Sequence, residues 1–255
     1  MKLYKRAAAL ILTAATLLSL APPVSAEGDR VTISSAKEFY ALVQNCTRDV
    51  WSQRVTVELT ADLDLSGSDF QPIPIFQGTF HGNGHTIRGI TYDHKGSTLG
   101  LFRTLTESAV VEGLCVEGLL EPQGSASQLG LLAGENYGAI RSCSAKGTVS
   151  GQEDVGGLVG VNGETGRIEG SSSQVQISGV TNVGGIAGQN LGTLDRCINT
   201  GALNSDPDQE IPTSVGGIAG LSRGTIQSCS NSGEIGYQHL GYNMGGIGAA
   251  VLAAL

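Results

Sequence analysis

The sequence predicts an all-β protein folded as a β-solenoid, in which short strands wind into stacked turns. Three observations support this prediction. The chain has 38 glycines in 255 residues, about twice the usual share of ~7%, and glycine is unfavourable inside helices. A unit of roughly 28 residues repeats from residue 128 onward. Within each unit, short β-branched segments are separated by glycines, as expected for strands joined by tight turns.

The composition excludes several classes of protein. The net charge is −8, so the chain lacks the basic surface on which nucleic-acid binding depends. Hydrophobic residues make up 40% of the chain, which is too many for a long disordered tail. No Gly-X-Y period is present, so the glycines do not indicate collagen.

Residues 1–26 have the three parts of a secretory signal peptide. Three basic residues precede an apolar run at residues 7–20, and Ala26 ends a small-residue cleavage site. The apolar run is too short to span a bilayer as a membrane anchor. We therefore expect the mature chain to be exported, without a membrane span, and to reside outside the cell or on its surface.

The repeat is clearest when the apolar residue after each glycine-rich turn is aligned. These residues are spaced by 29, 28, 26 and 32 positions, and the aligned residues are Val111, Ile140, Ile168, Leu194 and Ile226. Positions three and nine residues later form two further columns. Fixed offsets within variable intervals predict that the strands stack in register while insertions fall in loops. The longest such loop is predicted at residues 204–212.

Residues 27–54 are predicted to cap the N-terminal end of the solenoid. Ser35 and Glu38 are spaced as a capping box, which predicts a short amphipathic helix over residues 35–46. Its apolar face is predicted to comprise Phe39, Leu42 and Val43. A cap is expected because exposed strand edges at the end of a solenoid invite aggregation.

Two sets of coils are predicted beyond the cap. The first β-helix coils cover residues 55–126 and begin with an alternating strand at Val55, Val57 and Leu59. The repeat coils cover residues 127–255, with about three short strands in each unit. The last unit starts at Asn243 and breaks off after a few residues, so we expect the chain to be a fragment or a truncated reading frame.

Three segments carry a resemblance to a known family. VGGLVG, VGGIAGQN and VGGIAG, each followed by a glycine and an Ile or Leu, resemble the GLUG repeat of secreted and cell-surface bacterial proteins. That family includes adhesin-like proteins and the non-catalytic region of IgA-specific metallopeptidases. The resemblance covers roughly residues 31–248 and implies a right-handed parallel β-helix of the pectin-lyase type. Two departures are Ser171, where most units have cysteine, and GGIGA in the last unit.

Cys143, Cys197 and Cys229 share one repeat position. Leu114 and Ser171 occupy the same position in other units, so we interpret it as a core site for a small side chain. A disulfide between Cys197 and Cys229, in adjacent turns, is sterically compatible with this spacing. The cysteine count of five is odd, which leaves at least one thiol unpaired or intermolecular.

Asn136, Asn162 and Asn190 recur two residues after a repeat glycine. Asparagine suits left-handed turns, and stacked asparagines form amide ladders. We therefore interpret these residues as a structural ladder rather than as a binding site.

Metal sites are only weakly indicated. Asp206, Asp208 and Glu210 lie on the longest insertion and are the better calcium candidates, ahead of the cluster around Asp62 and Asp64. Neither cluster matches an EF-hand loop or a calcium-binding glycine repeat. His81 and His85 in HGNGH lack the H-E-x-x-H pattern, and we interpret them as turn residues. No cofactor is expected.

The sequence favours a non-catalytic function. We expect a structural or adhesive module that presents repetitive faces to an unidentified extracellular glycan or protein. A first alternative is the accessory region of a larger surface metallopeptidase. A second alternative is a divergent carbohydrate lyase, which would need Asp62, Asp64 and a basic residue in one cleft.

Overall fold

The computed structural model describes residues 29–48, 50–204, 214–236 and 243–251. The predicted signal peptide at residues 1–26 lies outside the described residues. So do the calcium candidates Asp206, Asp208 and Glu210.

The described part of the chain begins with a strand and a helix and then continues almost entirely in strands. Up to residue 120 the elements are β1 (Arg30–Ile33), α1 (Ala36–Asn45), a 3₁₀ helix (Trp51–Arg54), β2 (Thr56–Leu59), β3 (Leu63–Asp64), β4 (Ile73–Phe76), β5 (Thr79–His81), β6 (Thr86–Tyr92), β7 (Phe102–Leu105), β8 (Val110–Glu112) and β9 (Cys115–Leu120).

The repeat region contributes the remaining described strands. They are β10 (Ser127–Leu129), β11 (Ala133–Asn136), β12 (Ala139–Arg141), β13 (Ser144–Ser150), β14 (Glu153–Gly156), β15 (Val159–Asn162), β16 (Arg167–Glu169), β17 (Ser172–Ser178), β18 (Thr181–Gly184), β19 (Ala187–Asn190), β20 (Thr193–Asp195), β21 (Ile198–Asn199), β22 (Ser214–Gly216), β23 (Ala219–Ser222), β24 (Thr225–Gln227), β25 (Ser230–Asn231), β26 (Asn243–Gly245) and β27 (Gly248–Val251).

These strands form four parallel sheets. Sheet A has the order β1-β2-β5-β8-β12-β16-β20-β24, sheet B β3-β6-β9-β13-β17-β21-β25, sheet C β4-β7-β11-β15-β19-β23-β27, and sheet D β10-β14-β18-β22-β26. Consecutive strands of the chain visit different sheets, and neighbouring strands within a sheet pair in parallel. Sheets B and C have seven strands each, so the molecule is a parallel β-solenoid of about seven turns. The predicted fold class is confirmed.

The number of strands per turn changes along the axis. The early turns visit sheets C, A and B, whereas each turn from β10 onward visits sheet D first. About three strands per unit were predicted for the repeats, and the structure has four in each turn from β10 to β25 and three in the early turns. The missing strand is the short one in sheet D.

The predicted register is confirmed in two columns. In sheet A the successive partners are Val111, Ile140, Ile168, Leu194 and Ile226. In sheet B the successive partners are Leu120, Val149, Ile177, Leu203 and Ile235. Since the intervals between these residues vary, the extra residues of the longer units lie between paired positions.

One apolar core runs through the stacked turns, from Ile33 to Ala219. In the early turns it contains Phe76, Phe80 and Phe102, whose ring centroids lie 5.4–6.2 Å apart. In the repeats it is filled by aliphatic side chains. Each turn is too short to bury such a core alone, so neighbouring turns stabilise one another.

The N-terminal helix is confirmed, one residue shorter at each end than predicted. The backbone N–H of Glu38 donates to Oγ of Ser35 at 3.4 Å, and the Glu38 carboxylate accepts from the N–H of Ser34 at 2.8 Å. The buried residues of the helix are Phe39, Leu42 and Val43. None of the helices among the described residues is long and apolar enough to span a bilayer.

The prediction that β2 is the first strand is wrong. Strand β1 precedes the helix and pairs in parallel with β2, Val31 opposite Val57. In β1 only Ile33 is fully buried, because this strand lies at the edge of sheet A. The sequence of β1, RVTI, alternates polar and apolar residues, so this pattern could have identified the strand.

The paired glycines of the repeat are required by close approach between turns. None of the glycines at 156–157, 184–185 and 216–217 has a positive φ. A Cβ added at Gly185 would overlap the carbonyl oxygen of Gly217 and the side-chain amide of Asn199. A position can require glycine because its φ is positive or because another part of the chain leaves no room for a side chain. At these glycine pairs, the lack of room is the reason.

Candidate binding surface

The outer face of sheet A carries a column of ionisable side chains, one per turn, in which acidic and basic residues alternate over five turns until Glu169 meets another acidic residue, Asp195. We call this column ladder A. The paired positions are, in order, Glu58, His81, Glu112, Arg141 and Glu169. Neighbouring strands lie about 4.8 Å apart, a distance at which like charges would repel.

Contacts between basic and acidic side chains join successive turns along ladder A. Nδ1 of His81 lies 2.7 Å from Oε1 of Glu112, and Nε of Arg141 lies 3.6 Å from Oε2 of Glu169. The side chains of Glu112 and Arg141 are 42% and 45% exposed. Exposed pairs of this kind contribute at most about 1 kcal/mol to stability, so these groups are available to a ligand at little cost to the fold.

A shallow pocket of about 320 Å³ borders ladder A where the chain turns from sheet A to sheet B. Three of its lining residues, Asn83, Gly113 and Ser142, are corner residues with φ of 53°, 62° and 50°. The full lining is His81, Asn83, Glu112, Gly113, Arg141 and Ser142. A pocket with this mixture of donors and acceptors suits a hydroxylated or zwitterionic ligand better than an apolar one.

A second column of alternating charge lies on the outer face of sheet B. We call it ladder B, and it comprises Asp64, Arg88, Glu117 and Lys146. Asp64 pairs with Arg88 and Glu117 pairs with Lys146, and a bulge interrupts the register between Arg88 and Glu117. Shallow pockets of about 360 and 290 Å³ lie along this ladder. Ladders A and B flank the same corner, and we call the surface they form the A–B face.

Asp64 is held as a carboxylate by its neighbours. It accepts hydrogen bonds from the hydroxyl and the N–H of Ser66 at 2.5 and 2.9 Å, and from Nε of Arg88 at 3.0 Å. The bonds from Ser66, followed by that from Arg88, hold the pKa of Asp64 at about 2. A carboxylate with such a low pKa is a poor general acid or base at neutral pH.

Asp62 is engaged in the same way. It accepts from the N–H of Thr86 at 3.0 Å and lies 3.1 Å from Nδ1 of His85. The bond from Thr86, and then that from His85, lower the pKa of Asp62. The acidic and basic residues required by the lyase hypothesis are therefore adjacent, but they bind one another, and the pocket at Asp64 does not include Asp62.

Over residues 29–48, 50–204, 214–236 and 243–251, no group of three or more His, Cys, Asp or Glu side chains is placed to hold a metal ion. The calcium candidates Asp206, Asp208 and Glu210 fall in a gap between these ranges.

The cysteine column lies at the corner where the chain enters sheet B. The N–H of Cys143 donates to Oγ of Ser171 at 3.1 Å, and the N–H of Cys197 donates to Sγ of Cys229 at 3.3 Å. All five cysteines are free thiols in this structure. Burial raises the pKa of the Cys143 thiol to about 12, so this thiol is unreactive at neutral pH.

The predicted asparagines form a ladder inside the solenoid. Nδ2 of Asn136 donates to Oδ1 of Asn162 at 2.8 Å, and Nδ2 of Asn162 donates to Oδ1 of Asn190 at 2.8 Å. The ladder ends where Asn190 donates to Oγ of Ser222 at 3.1 Å. All four side chains are fully buried, so they face no ligand.

A second asparagine ladder, not predicted from the sequence, joins two later turns. Nδ2 of Asn199 donates to Oδ1 of Asn231 at 2.8 Å. The two residues are 32 positions apart, the same interval that separates Leu194 from Ile226 in the aligned repeats. This shared interval is the signal that could have identified the pair.

A further polar column, also not predicted, lies along sheet D, whose strands contain Gln128, Asp154 and Asn182. Oγ1 of Thr98 donates to Gln128 at 2.7 Å, and Nδ2 of Asn182 donates to Asp154 at 2.9 Å. All four residues have positive φ, between 53° and 59°. Desolvation, followed by the nearby charge of Glu153, raises the pKa of Asp154.

The fold and its ladders define a class of protein, a parallel β-solenoid built from glycine-rich repeats. Two of its turns match the GLUG motif, at residues 125–150 and 151–178. The resemblance seen in the sequence is thereby confirmed for these repeats.

Proteins of known sequence and structure share parts of this chain. Halomucin of Haloquadratum walsbyi is 32% identical over 141 residues, which are 50% of this chain and 2% of halomucin. A protein of Evansella cellulosilytica named as a Gly-rich membrane protein is 33% identical over 96 residues, or 35% of this chain and 11% of that protein. The chain thus spans only a small part of both relatives.

A solved structure has the same fold. It is a crystal structure assigned as an immunoglobulin A1 protease of Bacteroides ovatus, with a TM-score of 0.59 and 21% identity. The similarity covers 80% of this chain and 66% of that chain. At this level of identity the comparison establishes the solenoid fold alone.

Proposed function

We propose that this chain is a non-catalytic module of an exported or surface-displayed protein, and that its A–B face binds an extracellular glycan or protein. The observation that carries the proposal is the pair of charged ladders on adjacent outer faces, with three shallow pockets between their side chains. Their charged groups lie at the surface, whereas the asparagines and most aliphatic side chains are used inside.

The relatives and the N-terminus support a location outside the cytoplasm. One relative is named as a membrane protein, and the structural neighbour is assigned to a protease of immunoglobulin A1, which is a secreted antibody. Residues 1–26 have the features of a signal peptide. Together these features favour export of the mature chain, residues 27–255.

Binding can be tested on arrays of glycans and extracellular-matrix proteins. The mature chain is expected to bind at least one class of ligand, and Arg141→Gln is expected to weaken that binding about tenfold, since one charge-assisted hydrogen bond is lost. Arg223→Gln is the matched control, because Arg223 is exposed but lines none of the three pockets. Absence of binding throughout, or equal loss in both variants, would contradict the proposal.

The fold of the Bacteroides ovatus neighbour favours a second candidate, an accessory region of a larger surface metallopeptidase. In that case the solenoid would position a catalytic domain encoded in the same gene. Sequencing the full gene distinguishes the two candidates, because an H-E-x-x-H domain in the same reading frame would favour the peptidase, and its absence would favour the independent module.

A further inference from the structure

Two thiols lie against each other in adjacent turns near the C-terminal end of the cysteine column. Strands β21 and β25 pair in register, with Ile198 opposite Ser230. Cys197 and Cys229 immediately precede these residues and therefore hold equivalent positions. Residues paired in this way lie about 4.8 Å apart between strands, within the range of about 4.4–6.8 Å that a disulfide bridges between Cα atoms.

The two thiols have different environments. Cys197 is fully buried, and its S–H is within 3.4 Å of the Ile168 carbonyl oxygen. Cys229 is half-buried, and the hydrogen bond from Cys197 lowers the pKa of the Cys229 thiol to about 7. This hydrogen bond favours the thiolate of Cys229, which is the nucleophilic form of a cysteine. The same contact raises the pKa of Cys197.

The other thiols lack this arrangement. The neighbours of Cys143 in the column are not cysteines but Ser171 on one side and Leu114 on the other. Cys46 lies just beyond α1, where burial raises the pKa of its thiol to about 12. Cys115 is one residue out of the column, since it pairs with Ser144 rather than with Cys143. Of the five cysteines, only Cys197 and Cys229 share a column position in adjacent turns.

We propose that Cys197 and Cys229 are a redox site, in which an external disulfide converts the two thiols into a cross-link between turns. The Cys229 thiolate attacks one sulfur of the external disulfide and forms a mixed disulfide, which releases one thiolate. Cys197 then loses its proton and attacks Sγ of Cys229, which forms the internal S–S bond and releases the second thiolate. The external disulfide gains two electrons and the two protons from the cysteines, and leaves as two thiols.

The cross-link would close the chain between Cys197 and Cys229, a stretch of sequence that includes the longest predicted loop, residues 204–212. In the oxidised protein, β21 and β25 are then joined by a covalent bond in addition to their backbone hydrogen bonds. Constraint of the unfolded chain by such a bond stabilises the folded state. The site thus makes the stability of these turns depend on the redox conditions outside the cell.

Peptide mapping tests this directly on the mature chain, treated with glutathione disulfide or with a reductant and then alkylated. Trypsin separates the two cysteines into residues 197–223 and 224–255. The oxidised sample is expected to contain these peptides linked, lighter by two hydrogen atoms than their sum. Its Tm is expected to exceed that of the reduced sample by about 5–10 °C.

Two variants separate this cross-link from other oxidation. Cys143→Ser is expected to retain the linked peptide and the rise in Tm, whereas Cys229→Ser is expected to lose both. Alkylation of Cys197 and Cys229 after oxidation would overturn the proposal, as would their linkage to other cysteines or to a second chain. The readout is the covalent state, so it is independent of whether the A–B face binds a ligand.

Discussion

Asn162 donates its side-chain amide to Oδ1 of Asn190 at 2.8 Å, inside a core from which solvent is excluded. Asn162 also accepts the amide of Asn136 at the same distance. Each asparagine is therefore both donor and acceptor, and the polar atoms of one turn are satisfied by those of the next. A buried amide is tolerated only under this condition, so the ladder links the stability of one turn to the presence of its neighbours.

Removal of one amide should destabilise the solenoid strongly. We expect Asn162→Ala to lower the free energy of unfolding by about 2–4 kcal/mol, because Asn136 and Asn190 each lose a buried partner. Urea denaturation followed by circular dichroism measures the change. Gln174→Ala is the control, since Gln174 is an exposed amide in β17, and its effect should stay within about 0.5 kcal/mol. Similar losses in both variants would show that the ladder is not specifically stabilising.

The second glycine of a repeat pair should not tolerate a side chain within the stack. We expect Gly185→Ala to cost about 2–3 kcal/mol or more, because its Cβ would overlap the backbone of the next turn. Gly246 holds the equivalent place in the last described turn, and a Cβ there meets no atom within 4 Å. Gly246→Ala is therefore expected to be nearly neutral. Thermal unfolding of both variants tests the difference, which would vanish if glycine served only chain flexibility.

Asp154 should make the protein less stable as the pH rises. Desolvation raises the pKa of Asp154 in the folded state. At pH values between its unfolded and folded pKa, the native state therefore binds more protons than the unfolded state. The free energy of unfolding falls as the pH rises through this range. We expect Asp154→Asn to be more stable than the wild type at pH 7, by up to about 1 kcal/mol. The gain should disappear below about pH 4.

Urea denaturation of both proteins between pH 3 and pH 8 measures this effect. Glu164→Gln controls for the loss of one negative charge, because Glu164 is exposed. A gain that does not vary with pH, or an equal gain in the control, would count against the assigned role of Asp154.

Asp64 should have the opposite pH dependence. The bonds from Ser66 and Arg88 lower the pKa of Asp64 to about 2. The contribution of Asp64 to the stability of the folded state is therefore complete above about pH 4 and is lost as the pH falls toward 2. We expect Asp64→Asn to lack this acid-dependent loss. Acid unfolding curves of wild type and variant should therefore converge near pH 2, with exposed Glu121→Gln as the control. Parallel curves over this range would contradict the prediction.

The repeating part of the fold could be predicted because its alignment depends on spacing alone. Ile140 and Ile168 occupy matched positions whatever the length of the loops between them, and the structure pairs them. Sheet D was not predicted because its short strands contain residues such as Gln128 and Asp154, which adopt positive φ without being glycine. A positive φ within so short a strand interrupts the extended backbone that a regular alternation of side chains indicates.

The candidate binding surface was not visible in the sequence for a different reason. Ladder A is a single strand position repeated in successive turns, and three of these turns carry His81, Glu112 and Arg141 there. These residues do not resemble one another, so alignment of repeats for similarity overlooks them. Their relationship is complementarity between neighbours, which requires the register of the strands to be known.

The intervals between matched residues range from 26 to 32 while the strand register is unbroken. The height of a residue along the solenoid axis therefore depends on the number of turns before it, each rising about 4.8 Å. It does not depend on the number of residues before it. Between Asn204 and Ser214 the chain adds residues without moving Leu194 away from Ile226. A foreign peptide inserted at this place would be displayed at a defined height, and the distance between the ends of the solenoid would stay the same.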